Sequence, residues 1–189
     1  MKTTSIMIVG VGGQGTLLAS KLLGNVLIAQ GYDVKLSEVH GMSQRGGSVV
    51  TYVRYGDKVY SPIVDQGEAD YILSFEILES ARWISYLREG GVLITNTQKT
   101  WPMPVITGAA EYPEGIVEKL SAMANVQAVD ALKLAEQAGS PKAVNVVLIG
   151  VLSRRMDIPE EAWLKAIEET VPPKFLELNK EAFRLGRGA

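Results

Sequence analysis

Gly10-Val11-Gly12-Gly13-Gln14-Gly15 decides how the first part of this chain is read. An apolar run over residues 5–9 precedes it, and a helical pattern over residues 16–30 follows. Strand, glycine turn and helix in that order make an anion-binding element. Glycine lets the backbone turn tightly and approach a ligand with no Cβ in the way. The helix behind it offers unpaired N–H groups and a partial positive charge. The spacing also satisfies the dinucleotide fingerprint G-x-G-x-x-G. The bland alternative is a tight connection that packs helix close to sheet. Gln14 adds an amide at the tip of the turn, open to a ligand, a partner or its own backbone.

The helix carries Leu17, Leu18, Leu22, Val26 and Ala29 at helical spacing and stops at Gly31. A second strand over residues 33–39 follows, so residues 5–39 read as one βαβ unit with a right-handed crossover. Glu38 stands at its end, where a dinucleotide fold keeps the acid that binds ribose hydroxyls. A solvated carboxylate and an ion pair with Arg45 are the competing readings. Next comes the loop His40-Gly41-Met42-Ser43-Gln44-Arg45-Gly46-Gly47. His40, Ser43, Gln44 and Arg45 gather hydrogen-bond donors in a few residues, and Arg45 suits bidentate pairing with phosphate or carboxylate. Both glycine loops follow parallel strands, so both are expected at one crevice beyond the strand carboxyl ends. The set facing a ligand or partner is therefore Gly12, Gly13, Gln14, Gly15, Glu38, His40, Ser43, Gln44 and Arg45. The bland reading of the second loop is a lead-in to a hairpin. His40 is the only histidine. With no nucleophile beside it, positioning is a better reading than acid–base work. No catalytic residue and no metal ligand set is assigned.

The remainder continues the alternation. Residues 48–55 read as a strand, Gly56-Asp57 as a turn and residues 58–61 as a return strand, an antiparallel hairpin insertion. Residues 71–75 are a core strand. A helix over 76–87 ends at Gly90-Gly91, and a strand over 92–96 follows. Glu76 and Glu79 read as surface acids that complement the dipole of that helix. Residues 97–115 hold Pro102, Pro104 and Pro113 and read as irregular. A helix over 116–124 and a strand over 126–130 come next. Helices follow over 131–138 and 143–154, and residues 145–152 are apolar nearly all round, a buried helix. Pro159 opens a helix that Pro172-Pro173 breaks. Residues 175–185 are amphipathic, and residues 186–189 are expected to fray. Trp83, Trp101 and Trp163 read as core or interface residues. The expected class is α/β: a Rossmann-like three-layer domain with a mostly parallel sheet and a β-hairpin insertion, one domain over residues 1–189.

Composition narrows the function. The chain has 189 residues, 47% apolar and 21% charged, with a formal net charge of −2. That balance argues against a nucleic-acid or anionic-membrane binder. No cysteine is present, so no disulfide, thiol nucleophile or cysteine-ligated iron–sulfur cluster resides here. Residues 1–30 do not read as a signal peptide, and no apolar run reaches membrane-spanning length. A cytoplasmic location is expected.

The two loops together, G-x-G-G-Q-G at residues 10–15 and E-x-H-G-x-x-Q-R-G-G-x-V at residues 38–49, resemble the gamma-type subunit or domain of 2-oxoacid:ferredoxin oxidoreductases. The resemblance runs over most of the chain and includes the asparagine-bearing apolar helix near residue 145. Size and separate-subunit form are most similar to the beta subunit of the indolepyruvate type, with the gamma subunits for pyruvate, 2-oxoisovalerate or 2-oxoglutarate close behind. Such an enzyme decarboxylates a 2-oxoacid on thiamine diphosphate, passes electrons through iron–sulfur clusters to ferredoxin and forms an acyl-CoA. The resemblance implies that a large partner subunit carries the thiamine site and the clusters. This chain then holds no cofactor of its own, supports that partner, meets ferredoxin only indirectly, and is inactive alone; CoA is a candidate at the interface. The residues agree on the negative side: cysteine is absent, and no G-D-G with a distant Asn appears. Isolated, the chain is expected to self-associate. Two rivals stand beside this reading: a free-standing NAD(P)- or flavin-binding oxidoreductase using the fingerprint and Glu38, and a pure interaction module.

Overall fold

Ile6, Met7, Ile8 and Val9 are all sealed from solvent, which explains why the strand before the glycine turn is an unbroken apolar run and not an alternation. A computed structural model describes residues 3–40, with His40 by its backbone alone, and residues 46–189. The central strand β1 (Thr4–Val11) is followed by helix α1 (Thr16–Ala29) and strands β2 (Asp33–His40) and β3 (Ser48–Gly56). Then come β4 (Ala69–Ser74), α2 (Ile77–Trp83), β5 (Leu87–Asn96), the single turn α3 (Met103–Ile106), α4 (Ile116–Ser121) and β6 (Asn125–Val129). Four helices complete the chain: α5 (Ala131–Gln137), α6 (Val144–Ser153), α7 (Glu160–Thr170) and α8 (Leu176–Gly188).

The six strands form one mixed sheet in the order β2-β3-β1-β4-β5-β6. β1, β4, β5 and β6 pair in parallel, while β3 runs antiparallel to both β1 and β2. Alternate side chains of β1 feed two cores. Ile6 and Ile8 join the larger one, under α1, α5, α6, α7 and α8. Met7 and Val9 join the smaller one, under α2 and α4. The result is the expected three-layer α/β arrangement.

Several sequence expectations need correction. β1 and β2 are not neighbours; β3 lies between them, so the βαβ unit is split. The hairpin is β2–β3, not β3 with a return strand at residues 58–61. That segment and the residues just after it are held instead by side chains: Asp33 Oδ2 accepts from the N–H of Val59 at 2.9 Å, and Arg54 donates to the carbonyl of Ile63 at 2.8 Å. Pro62 has no N–H to give to a ladder. Gly90-Gly91 does not end a helix; it lies inside β5, at the register shift where β5 pairs with Ala69 and Tyr71. A Cβ on Gly91 would stand 3.0 Å from the carbonyl of Ala69, so glycine permits the bulge. The buried face of α1 is Ala19, Leu22, Leu23, Val26 and Leu27, which leaves Leu17 exposed.

The C-terminal residues do not fray. α8 runs through Gly188 and lies so close to α6 that a Cβ on Gly186 would collide with the carbonyl of Val147. Gly150 meets the backbone of Phe183 in the same way. Arg187 donates to Ser153 Oγ at 2.8 Å, and Arg154 donates to the carbonyl of Ala189. All ten residues of α6 are buried, as its apolar sequence requires.

Candidate functional site

The glycine turn leaves β1 at the carboxyl edge of the sheet, and each glycine with a described role serves it differently. Gly10 makes room: a Cβ there would stand 2.8 Å from Gln14 Oε1 and 3.0 Å from Phe75 Cβ. Gly13 and Gly15 adopt φ of 100° and 84°, which L side chains rarely adopt. Gly15 is also the N-cap of α1, with no side-chain cap on the helix. Among the described residues, no side chain caps the first-turn N–H groups of α1.

Gln14 answers one question the sequence left open. Its Oε1 accepts from the N–H of Val11 at 2.8 Å, and its Nε2 donates to the carbonyl of Phe75 at 3.4 Å. The amide is a staple across the turn, from β1 to the end of β4. Asn145 does a similar service from α6. Its Nδ2 donates to the carbonyl of Gly15 at 3.3 Å, and its Oδ1 accepts from the N–H of Val146 at 2.9 Å. A polar residue inside a wholly apolar helix was the signal for that contact.

The second loop ends beside the first. The N–H of Gly12 donates to the carbonyl of Gly47 at 2.9 Å, and the N–H of Gly46 donates to the carbonyl of Gly12 at 3.4 Å. His40 closes β2 opposite Val49. Ser43, Gln44 and Arg45 lie outside the described residues. Glu38 is exposed and pairs across the hairpin with Thr51, whose hydroxyl reaches Glu38 Oε1 at 3.3 Å.

Two clefts flank the turn. One, of about 220 Å³, is lined by Gly12, Gly13, Thr16, Leu17, Glu38, Val39, Val49, Val50 and Thr51. The other, of about 400 Å³, is lined by Gly13, Gln14, Gly15, Gln98, Pro141, Lys142 and Val144. Gly13 stands between them, with no described residue within 4 Å of the Cβ position. Sequence reading missed Gln98 and Lys142, which sit far along the chain in segments with no motif of their own. The inserted β3 also undoes the dinucleotide geometry. It moves β2 one strand spacing, ~4.8 Å, away from the turn, so Glu38 is not on the neighbouring strand as that fingerprint requires.

Beneath the turn lies a buried polar bracket at the start of α2. Glu76 and Glu79, expected at the surface, are 1% and 4% exposed. Glu76 caps α2 by accepting from the N–H of Glu79 at 2.9 Å; it also accepts from the N–H of Thr100 at 2.9 Å and the hydroxyl of Tyr112 at 2.8 Å. Burial, together with the Glu76 carboxylate, pushes the Tyr112 phenol up. Glu79 accepts from Ser48 Oγ, from Trp83 Nε1 at 3.2 Å and from Arg82 Nε at 3.0 Å. Burial of the acids is tolerated because donors reach both oxygens of each carboxylate. Glu76 thereby holds the segment after β5, which exposes Trp101, Met103 and Ile106. Trp163, by contrast, is core, stacked on Phe183.

These residues fit neither an iron–sulfur cluster nor the metal of a thiamine site. The chain has no cysteine, and among the described residues no group of three His, Cys, Asp or Glu side chains could hold a metal ion. Nor, among the described residues, is any helix long and apolar enough to cross a membrane.

A family model described as pyruvate ferredoxin/flavodoxin oxidoreductase matches residues 5–189. The chain belongs to this family. It is 47% identical to indolepyruvate oxidoreductase subunit IorB of Thermococcus kodakarensis, over 98% of this chain and 95% of that protein. The IorB subunit of Pyrococcus horikoshii is 45% identical, with the same coverage. Among solved structures, subunit PORC of pyruvate oxidoreductase from Thermotoga maritima superposes with a TM-score of 0.76 at 25% identity, over 100% of this chain and 97% of that one.

Proposed function

We propose that this chain is the small, non-catalytic-centre subunit of an indolepyruvate-type 2-oxoacid:ferredoxin oxidoreductase, acting in the cytoplasm on arylpyruvates. The observation that carries the reading is near-full-length identity of 45–47% to IorB subunits, against 25% to the pyruvate oxidoreductase subunit. The large partner subunit supplies thiamine diphosphate and the iron–sulfur clusters, and hands electrons to ferredoxin. This chain, one domain in this reading, supplies the glycine-turn edge of Gly12, Gly13 and Gly15, and we give Glu38, His40, Ser43, Gln44 and Arg45 the same ligand- or partner-facing role. Gln14 serves that edge from within, as the staple.

The chemistry of the edge suits an anion or a partner backbone. Gly13 opens onto both clefts: Thr16 and Leu17, at the start of α1, line one, and Gly15 and Lys142 line the other. CoA, with its phosphates, is the ligand we place there, at the interface with the large subunit. The exposed Trp101, Met103 and Ile106 are apolar surface of the kind a permanent partner covers, and they are where the isolated chain would self-associate.

The test is reconstitution. The chain co-purified with its large subunit is assayed for ferredoxin reduction with indolepyruvate, pyruvate, 2-oxoisovalerate and 2-oxoglutarate, each with CoA. Highest kcat/KM for indolepyruvate is expected; preference for a small aliphatic 2-oxoacid would overturn the substrate assignment.

A further inference from the structure

Glu79 costs the fold something that its local role does not explain. A carboxylate taken out of water is unfavourable unless donors surround it. α2 does not need it as a cap, because Glu76 already caps that helix. The carboxylate instead crosses to the sheet. Its Oε2 accepts from Ser48 Oγ, and Trp83 Nε1 stands 3.2 Å from the same oxygen and 3.4 Å from Ser48 Oγ. Ser48 is the first residue of β3 and lies opposite Val11, the last residue of β1. The two residues before it, Gly46 and Gly47, exchange backbone hydrogen bonds with Gly12. An unbroken line of contacts thus runs from a buried carboxylate on one face of the sheet to the backbone of the glycine turn at its edge.

We infer that Glu79 is a positioning residue: acting through Ser48, it sets the Gly12 edge of the glycine turn for docking to the large subunit. The inference rests on the reading of that edge as partner-facing and adds a named residue that controls it. Glu79 makes no contact with substrate and performs no chemical step. Arg82, its exposed ion-pair partner, is not in the line of contacts and does not share the role.

The experiment titrates the chain into a fixed amount of large subunit and reads ferredoxin reduction with indolepyruvate. Half-saturation gives affinity, and the plateau gives kcat. Glu79→Ala is expected to raise the half-saturating concentration about tenfold, the size expected when a hydrogen bond to a charged group is lost, with the plateau unchanged. Glu79→Gln keeps an oxygen for Ser48 and restores affinity to within about twofold. Ser48→Ala reproduces the loss, and the double variant is no worse than either single one, because the two act in series. Arg82→Ala titrates as the parent chain. Unchanged affinity in both Glu79→Ala and Ser48→Ala, or additive losses, would overturn the inference. Leu17→Arg, at an exposed residue lining the cleft beside the turn, reports separately on the reading beneath it. If that variant docks normally the edge does not face the partner; if it fails while Glu79→Ala docks normally, only the role of Glu79 is wrong.

Discussion

The N–H of Gly12 donates to the carbonyl of Gly47 at 2.9 Å. These residues lie on different loops, one leaving β1 and the other entering β3. Their bond makes the two glycine segments one edge, and the return bond from Gly46 to Gly12 closes the pair. Because β2 and β1 run in the same direction with β3 between them, the hairpin must return beside the glycine turn.

Gly15 and Gly13 separate the cost of conformation from that of crowding. Both have positive φ, but a Cβ at Gly15 also meets Asn145 Nδ2 at 2.7 Å, whereas a Cβ at Gly13 meets no described residue within 4 Å. Gly13→Ala should cost about 1 kcal/mol from backbone strain alone, and Gly15→Ala about 2 kcal/mol or more. Urea unfolding of the two variants checks the order.

Asn145 should matter to the turn out of proportion to its distance in sequence. Asn145→Ala removes the donor to the Gly15 carbonyl and the acceptor for the N–H of Val146. The expected loss is about 1–3 kcal/mol. Amide hydrogen exchange is the sharper measurement: residues 12–16 should lose protection more than the distant strand β6.

The α6–α8 contact predicts a contrast at the C-terminus. Gly186→Ala drives a methyl into the Val147 carbonyl, while Gly188 has nothing within 4 Å. Gly186→Ala should destabilise the chain by about 1–3 kcal/mol, and Gly188→Ala should change it by less than about 0.5 kcal/mol. Thermal unfolding of both variants decides it.

Burial pushes the Tyr55 phenol up to about 12, and burial with the Glu76 carboxylate also raises Tyr112. An unfolded tyrosine titrates near pH ~10. Between that value and the raised one, the folded chain holds more protons than the unfolded chain, so stability falls as pH rises. The contribution is intact below pH ~10 and is lost as pH climbs through the folded values. Urea midpoints should therefore drop from pH ~10 upward. The drop should be shallower in a Tyr55→Phe, Tyr112→Phe double variant; parallel curves would contradict the shifts.

What the sequence made legible follows physical range. The strand–turn–helix at residues 5–30 and the buried helix near Asn145 were readable because local pattern determines them. The place of β3 was not, since strand order is a long-range choice that residues 48–56 do not encode locally. Glu76 and Glu79 were misread for the same reason. Two acids at a helix start look solvated until Thr100, Tyr112 and Ser48 arrive from elsewhere in the chain. Gly90-Gly91 was ambiguous because a helix stop and a β-bulge ask for the same residue. The tail at residues 186–189 looked loose because its glycine fits a groove on α6 that only the fold creates.

The most direct measurement is ferredoxin reduction by three samples: this chain alone, the large subunit alone and the two together, each with indolepyruvate, thiamine diphosphate and CoA. Activity in the combined sample, with none from this chain alone, is the predicted result. Turnover by this chain alone, or a large subunit that gains nothing from its addition, would contradict the account.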